Sequence, residues 1–143
     1  MPKKKTNDKK KKRAQERLGA CIVKCRGENL SQSRLAQQVG LSRSNMKYIE
    51  DGVNAPTQEI YQKIIDALQP EGTMRDQMDR LYMTIRKVPP PDVSNLLTEN
   101  PELVKAVRVL NGQKLTRTQL KQITQLFTSL TEQAEEGELQ DER

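Results

Sequence analysis

Four polar side chains between residues 43 and 48 have the spacing of neighbours on one face of a helix. Arg43 and Lys47 are four residues apart, and so are Ser44 and Tyr48, which brings each pair together on a helical surface. This face carries a guanidinium, a hydroxyl, an ammonium and a phenol, with no aliphatic residue among them. Such groups hydrogen-bond to base edges in a major groove, where arginine pairs with guanine. The pattern therefore predicts binding to a negatively charged, hydrogen-bonding partner.

Catalytic chemistry finds little support in the chain. Its 143 residues include no histidine, which removes histidine bases, triads and metal ligands. The two cysteines, Cys21 and Cys25, are four residues apart within a predicted helix. A disulfide over that span has poor geometry, and buried free thiols fit the apolar pattern around them. We expect no enzyme activity, no metal site and no cofactor.

Two short helices joined by a tight turn are predicted to present the polar face. Gly40 lies at the turn, where a residue without Cβ adopts positive φ at no steric cost. Ser42 is a suitable N-cap for the second helix, which carries the polar face. The apolar residues expected to face inward are Leu35, Val39, Met46 and Ile49. Their helical spacing on both sides of the turn predicts two packed helices.

These residues resemble the Cro/phage-repressor-like helix-turn-helix family, often called the xenobiotic-response-element type. Its hallmarks are a leucine-serine-glutamine entry, a leucine-alanine pair, a turn glycine and an isoleucine-glutamate-x-glycine exit. Here they are Leu30-Ser31-Gln32, Leu35-Ala36, Gly40 and Ile49-Glu50-Asp51-Gly52. The resemblance covers roughly Leu18 to Leu68. It implies an all-α protein with a five-helix DNA-binding domain.

The resemblance also implies roles for single residues. Family positions matching Gln32, Arg43, Ser44 and Tyr48 commonly contact DNA, and helix geometry adds Lys47. We expect base contacts from Arg43, Ser44, Lys47 and Tyr48. We expect phosphate contacts from Gln32, Ser31 and Asn54, because helix starts and tight loops offer donors to phosphates.

An ion pair behind this surface is a further implication of the resemblance. The family's arginine at the end of the first helix matches Arg26, and it often pairs with the glutamate matching Glu50. The loop after Arg26 is one residue shorter here than in the family. The sequence leaves open whether the pair forms.

The N-terminus is strongly basic. The formal net charge of the chain is +6, which favours a polyanionic partner. Residues 1–13 form a lysine-rich run that is predicted to be a disordered arm, serving either as a phosphate contact or as a solvated tail. The first helix is expected from about Ala14 to Arg26. No apolar run is long enough for a membrane span or a secretory signal, so we expect a cytoplasmic protein.

The domain boundaries follow from breaks in the helical pattern. The DNA-binding domain is expected at 14–72, with Thr57 capping a fourth helix that runs to about Leu68. A linking helix, from about Thr73 to Lys87, and a proline-rich corner occupy 73–91. A C-terminal helical segment occupies 92–131, and an acidic, frayed tail occupies 132–143.

Three further helices are predicted in the C-terminal segment. Asp92 is expected to cap the first, Pro101 to open a second that ends at Leu110, and Thr116 with Gln119 to form a capping box for the last. The residues expected to hold a dimer are Val107, Leu110, Leu120, Ile123, Phe127 and Leu130. Packing of these helices against the DNA-binding domain is the alternative, because either arrangement buries the apolar faces.

Three functions are compatible with this pattern. The first is a transcriptional regulator, expected to be a repressor, that binds double-stranded DNA as a homodimer on a near-palindromic operator. The second is an antitoxin that binds DNA and neutralises a toxin partner through its C-terminal helices. The third is a repressor inactivated when a protease partner cuts those helices.

Overall fold

The computed structural model describes the backbone of residues 2–141 and the side chains of residues 4–133. Within that part every regular element is an α-helix, which confirms the all-α class. The helices are α1 Pro2–Arg26, α2 Gln32–Val39, α3 Arg43–Glu50, α4 Gln58–Leu68, α5 Gly72–Arg86, α6 Pro91–Glu99, α7 Pro101–Arg108 and α8 Arg117–Asp141. The chain divides into two compact units, Met1–Pro101 and Glu102–Arg143.

The core of the first unit is built where five helices meet. Helix α1 packs against α5 and α3, α2 packs against α3 and α4, and α4 packs against α6. Its fully buried large side chains are Leu18, Ile22, Leu35, Val39, Met46, Tyr61, Ile64, Met78 and Tyr82. Most of them repeat at three- or four-residue steps within a helix, which is the pattern of an amphipathic helix.

The helix pair α2–α3 forms as the sequence predicts. The Ser42 hydroxyl accepts a hydrogen bond from the backbone N–H of Asn45 at 3.1 Å, which confirms the cap. Gly40 ends α2 with φ 76°. A Cβ at this position would meet no atom within 4 Å, so backbone conformation rather than space explains the glycine.

Helices α4 and α5 are joined through two tyrosines. The Thr57 hydroxyl accepts from the backbone N–H of Ile60, so the predicted start of α4 is confirmed. The rings of Tyr61 and Tyr82 stack with centroids 4.2 Å apart. The Tyr61 hydroxyl donates to Asp79 at 2.7 Å. Burial and this hydrogen bond raise the pKa of Tyr61 far above its ordinary value, so the phenol stays neutral inside the core.

The first helix is longer than predicted. It begins at Pro2 and not near Ala14, so the expected disordered arm at residues 2–13 is instead helical. Proline is favoured at a first helical position, and lysine is a good helix former. Elongating a helix that is already held by packing is also cheaper than nucleating a new one. Charge density alone was therefore a poor guide to the conformation of this segment.

The C-terminal boundaries differ from the predictions by small amounts. Pro91 opens α6, so Asp92 lies in its first turn and does not cap it. Helix α7 ends at Arg108, two residues before the expected Leu110. Helix α8 continues to Asp141, so the backbone of the expected frayed tail is helical to that residue.

The capping box at the start of α8 is confirmed in both directions. The backbone N–H of Gln119 donates to the Thr116 hydroxyl at 3.2 Å. The backbone N–H of Thr116 donates to the Gln119 side chain at 2.9 Å. This reciprocal pair satisfies two backbone donors and fixes the first turn of the helix.

Candidate nucleic-acid interface

The outer face of α3 brings the four predicted base-contacting residues together. Arg43, Ser44, Lys47 and Tyr48 are all exposed, and Tyr48 retains 46% of its accessible surface. The opposite face of the same helix is held in the core by Met46 and Ile49. The eight-residue helix therefore has one anchored apolar face and one free polar face.

The cationic groups on this face are available to a partner. Among the residues whose side chains the structure describes, Arg43 has no hydrogen-bond or ion-pair partner. Lys47 pairs with Asp51 at 3.1 Å, and both side chains are at least half exposed. An exposed pair of this kind stabilises the fold by little, so Lys47 can exchange its carboxylate for another anion at small cost.

The loop that follows α3 is fixed from two sides. The backbone N–H of Asn54 donates to the Tyr48 carbonyl at 3.2 Å. Arg86 of α5 donates to the carbonyls of Ala55 at 3.1 Å and Pro56 at 3.0 Å. Because the Asn54 N–H is used within the fold, its exposed side chain is the group left for a phosphate. No local sequence pattern indicates these contacts of Arg86.

The start of α2 lies close to the C-terminal end of α3, where Gln32 contacts Glu50. The Ser31 hydroxyl accepts from the backbone N–H of Arg34 at 3.1 Å, and its own hydrogen remains available. Gln32 donates one amide hydrogen to Glu50 at 2.7 Å. Its other amide hydrogen and its backbone N–H, at a helix N-terminus, remain for a phosphate.

Glu50 is the anchor beneath the interface. Its side chain is 3% exposed and lies 2.8 Å from the Arg26 Nε atom, with a second Arg26 bond at 3.2 Å. Arg26 also donates to the Leu30 carbonyl at 3.1 Å, which closes the loop between α1 and α2. The pair that the sequence left open is thus present. Together with Gln32, it ties the ends of α1 and α3 to the start of α2.

Close backbone contact between α1 and the end of α3 was not predicted from the sequence. A Cβ at Gly19 would lie 2.2 Å from the Glu50 carbonyl oxygen. A Cβ at Gly52 would lie 2.5 Å from the Glu16 Cα, and Gly52 also has φ 78°. Both glycines therefore let α1 approach α3 directly. A glycine inside a helical pattern is the one signal that could have indicated Gly19.

The six residues predicted to hold a dimer belong to the second unit. Val107, Leu120, Phe127 and Leu130 retain between 44% and 53% of their accessible surface, and Leu110 and Ile123 are half-buried. None of the side chains described in residues 102–133 is buried. The described part of this unit therefore presents apolar faces that no buried side chain supports.

The described residues contain few groups suited to other chemistry. Cys21 and Cys25 are free thiols, and burial raises the pKa of both, which disfavours the nucleophilic thiolate. Among these residues no group of three or more cysteine or acidic side chains is placed to hold a metal ion. No helix in this part of the chain has the length and apolar character needed to cross a membrane.

Comparison of the chain with family models, curated proteins and solved structures finds no match.

Proposed function

We propose that this protein is a sequence-specific DNA-binding transcriptional regulator that acts as a repressor. The observation that carries the proposal is the outer face of α3. Four hydrogen-bonding side chains are exposed there on a helix whose other face is fixed in the core. An eight-residue helix is about 12 Å long, and the major groove is about 12 Å wide and accepts a helix.

Each residue of this face has a defined part in the proposed complex. Arg43, at the first position of α3, donates to the acceptors of a guanine. Ser44 accepts from or donates to several bases. Lys47 leaves Asp51 for a guanine or a phosphate, and Tyr48 contacts a thymine methyl or a phosphate.

Phosphate contacts close to α3 set its register in the groove. Ser31 and Gln32 provide donors at the start of α2, and Asn54 provides one in the loop after α3. The Glu50–Arg26–Gln32 cluster keeps the first of these groups in a constant position relative to α3. Phosphate contacts of this kind orient a protein on DNA, while base contacts supply the sequence preference.

We further propose that the protein binds as a homodimer through its second unit. Leu120, Ile123, Phe127 and Leu130 follow three-, four- and three-residue steps along α8, the spacing of a coiled-coil seam. The residues beside this seam carry no charge; they are Gln119, Thr124, Leu126 and Thr131. Two copies can therefore approach without charge repulsion, and each buried large apolar side chain contributes about 1.5–3 kcal/mol.

An antitoxin function is the second candidate, and it depends on the same exposed seam. The apolar face of α8 could be covered by a toxin, with DNA binding retained by the first unit. The oligomeric state of the isolated protein separates the two functions. A stable homodimer leaves the seam occupied, whereas a monomer leaves it free for another protein.

Selection of bound duplexes from random DNA by the full-length protein tests the proposed function. The expected result is enrichment of one near-palindromic sequence, with half-site centres about 34–36 Å apart. Recovery of unrelated sequences after repeated rounds would contradict sequence-specific binding.

A further inference from the structure

The excess positive charge of the chain lies in one half of one helix. Residues 1–13 contain eight lysines and arginines and one aspartate, a formal charge of +7, whereas the whole chain carries +6. Residues 14–143 therefore carry a formal charge of −1. The basic character of the protein belongs to the first half of α1, and not to the rest of the unit that carries α3.

This half of α1 buries none of the side chains that the structure describes in it. Every side chain described from Lys4 to Arg13 is exposed, and the first buried residue of α1 is Ala14. The described ion pairs involve no residue before Arg26. Lys5 and Lys9 are four residues apart, a like-charge spacing that destabilises a helix in water. An anionic partner would neutralise this charge and stabilise the helix.

The position of α1 directs this charge towards the proposed DNA surface. Glu16 lies against Gly52, immediately after α3, and Lys12 lines one cleft with Asp51 and Val53. Helical periodicity places Lys5 and Lys9 on the same side of α1 as Lys12 and Glu16. These three lysines therefore continue outward from the loop that carries Asn54.

We infer that the N-terminal half of α1 is a helical clamp for the DNA backbone. Its contacts are made by Lys5, Lys9 and Lys12, on phosphates beyond those reached by the loop after α3. Residues 2–13 are about 18 Å long as a helix. This inference rests on the proposed function, because the clamp extends the same interface beyond the segment in which α3 binds.

A membrane surface is a less suitable partner for this helix. Residues 3–13 contain no apolar side chain, and a helix that lies in a bilayer interface needs an apolar face to insert. Contact with phosphates requires only positive charge and reach. A regular array of phosphates, as in duplex DNA, matches lysines repeated along a straight helix.

Two matched pairs of substitutions test the clamp in the full-length protein. Lys5→Gln with Lys12→Gln removes two charges from the face continuous with the loop. Lys10→Gln with Lys11→Gln removes two charges from the nearly opposite side of the same helix. Glutamine is close to lysine in helix propensity, and circular dichroism verifies that helix content is retained.

The measurement is the slope of log affinity against log salt for a 30-base-pair duplex of random sequence. Each phosphate contact contributes about 0.9 to this slope. The Lys5/Lys12 pair should reduce the slope by about 1.8, and the Lys10/Lys11 pair by less than half as much. Equal reductions for both pairs, or no reduction for either, would overturn the clamp.

Two further measurements separate this inference from its alternatives. Alanine at Arg43 and Lys47 should abolish sequence preference and leave the effect of the Lys5/Lys12 pair intact. If the Arg43/Lys47 variant keeps its DNA sequence preference and the Lys5/Lys12 substitutions still reduce the salt slope, α3 is not the base-reading helix and the clamp is retained. Vesicles containing phosphatidylserine should bind weakly; binding as tight as that of DNA, lost in the Lys5/Lys12 variant, would overturn DNA as the partner.

Discussion

Glu50 is a buried side chain that holds the helices of the proposed binding surface in position relative to one another. It accepts hydrogen bonds from Arg26 and Gln32 and connects three helices at the end of α3. The carboxylate contacts Gln32 of the proposed DNA surface, but its own side chain is only 3% exposed and cannot reach DNA. Its effect on binding would come from the orientation it gives α3 relative to the start of α2.

Removing Glu50 should destabilise the fold strongly. Glu50→Ala leaves the partly buried Arg26 guanidinium without a counter-charge, and breaking such a pair costs about 3–5 kcal/mol. Urea unfolding at neutral pH measures the loss. Asp51→Ala is the matched control, because the neighbouring carboxylate forms only the exposed pair with Lys47 and should contribute under about 1 kcal/mol. Equal losses for the two variants would refute the anchoring role of Glu50.

Arg43 should determine one base of the bound sequence. Arg43→Ala should cost about 1–3 kcal/mol at a selected site and relax preference at a single position. Arg80→Ala, an exposed arginine on α5, is the control and should leave both properties unchanged. Affinities for every single-base variant of the site provide the measurement. Uniform weakening on all sequences would show that Arg43 contacts only the backbone.

Residue-scale prediction from the sequence succeeded where exposure follows from helical spacing. The outward position of Arg43 and Lys47 could be predicted from the 3.6-residue period of a helix alone. The hydrogen bond from Gln32 to Glu50 was not predicted, because it joins residues that are 18 positions apart. The Arg26–Glu50 pair could be suggested only through the family resemblance. Whether it forms depends on the path of the loop between α1 and α2.

At the scale of elements, the packing of α1 on the end of α3 depends on a residue with no side chain. Gly19 lies where a Cβ would meet the Glu50 carbonyl oxygen. This contact explains why α1 tolerates a glycine in its interior, where the residue costs about 1 kcal/mol relative to alanine. The glycine permits an approach that any larger residue would prevent.

Gly19→Ala should therefore destabilise the protein although alanine is the better helix former. The added methyl group has to displace backbone atoms, and overpacking of this kind typically costs about 1–3 kcal/mol. Thermal and urea unfolding measure the change. Ala20→Gly, at the adjacent exposed position, should lower stability only by the propensity difference of about 1 kcal/mol. A more stable Gly19→Ala protein would show that α1 does not pack closely on α3.

Helix boundaries were predictable where the signal is local. The caps at Ser42 and Thr57 and the box at Thr116 and Gln119 depend on residues three apart. The start of α1 was missed because a lysine run fits both a solvated coil and a helix extended from a packed segment. The bracing of the loop by Arg86 was missed because its partners lie 30 residues earlier.

At the scale of the molecule, the second unit exposes large apolar side chains, among them Leu120, Phe127 and Leu130. None of its side chains described in residues 102–133 is buried, so this part of the unit forms no core of its own. A dimer would supply the missing core and give the proposed regulator two copies of α3. Two half-sites roughly square the sequence discrimination available to one.

Phe127→Asp should convert the proposed dimer into a monomer. The substitution places a charge in the centre of the seam, where it would have to be buried in both copies. Ser129→Asp adds the same charge on the polar side of α8 and should leave the dimer intact. Sedimentation equilibrium of the full-length proteins distinguishes the two. A Phe127→Asp protein that remains dimeric would place the interface elsewhere in the chain.

The central claim is that the outer face of α3 gives the protein its DNA sequence preference. The most direct test selects duplexes from random DNA in parallel with the wild-type protein and with a variant carrying alanine at Arg43, Ser44, Lys47 and Tyr48. Equal thermal stability of the two proteins is the control, because none of these side chains is part of the core. The account predicts one enriched sequence for the wild type and none for the variant, which should retain weak binding to all duplexes. Enrichment of the same sequence by both proteins would contradict it.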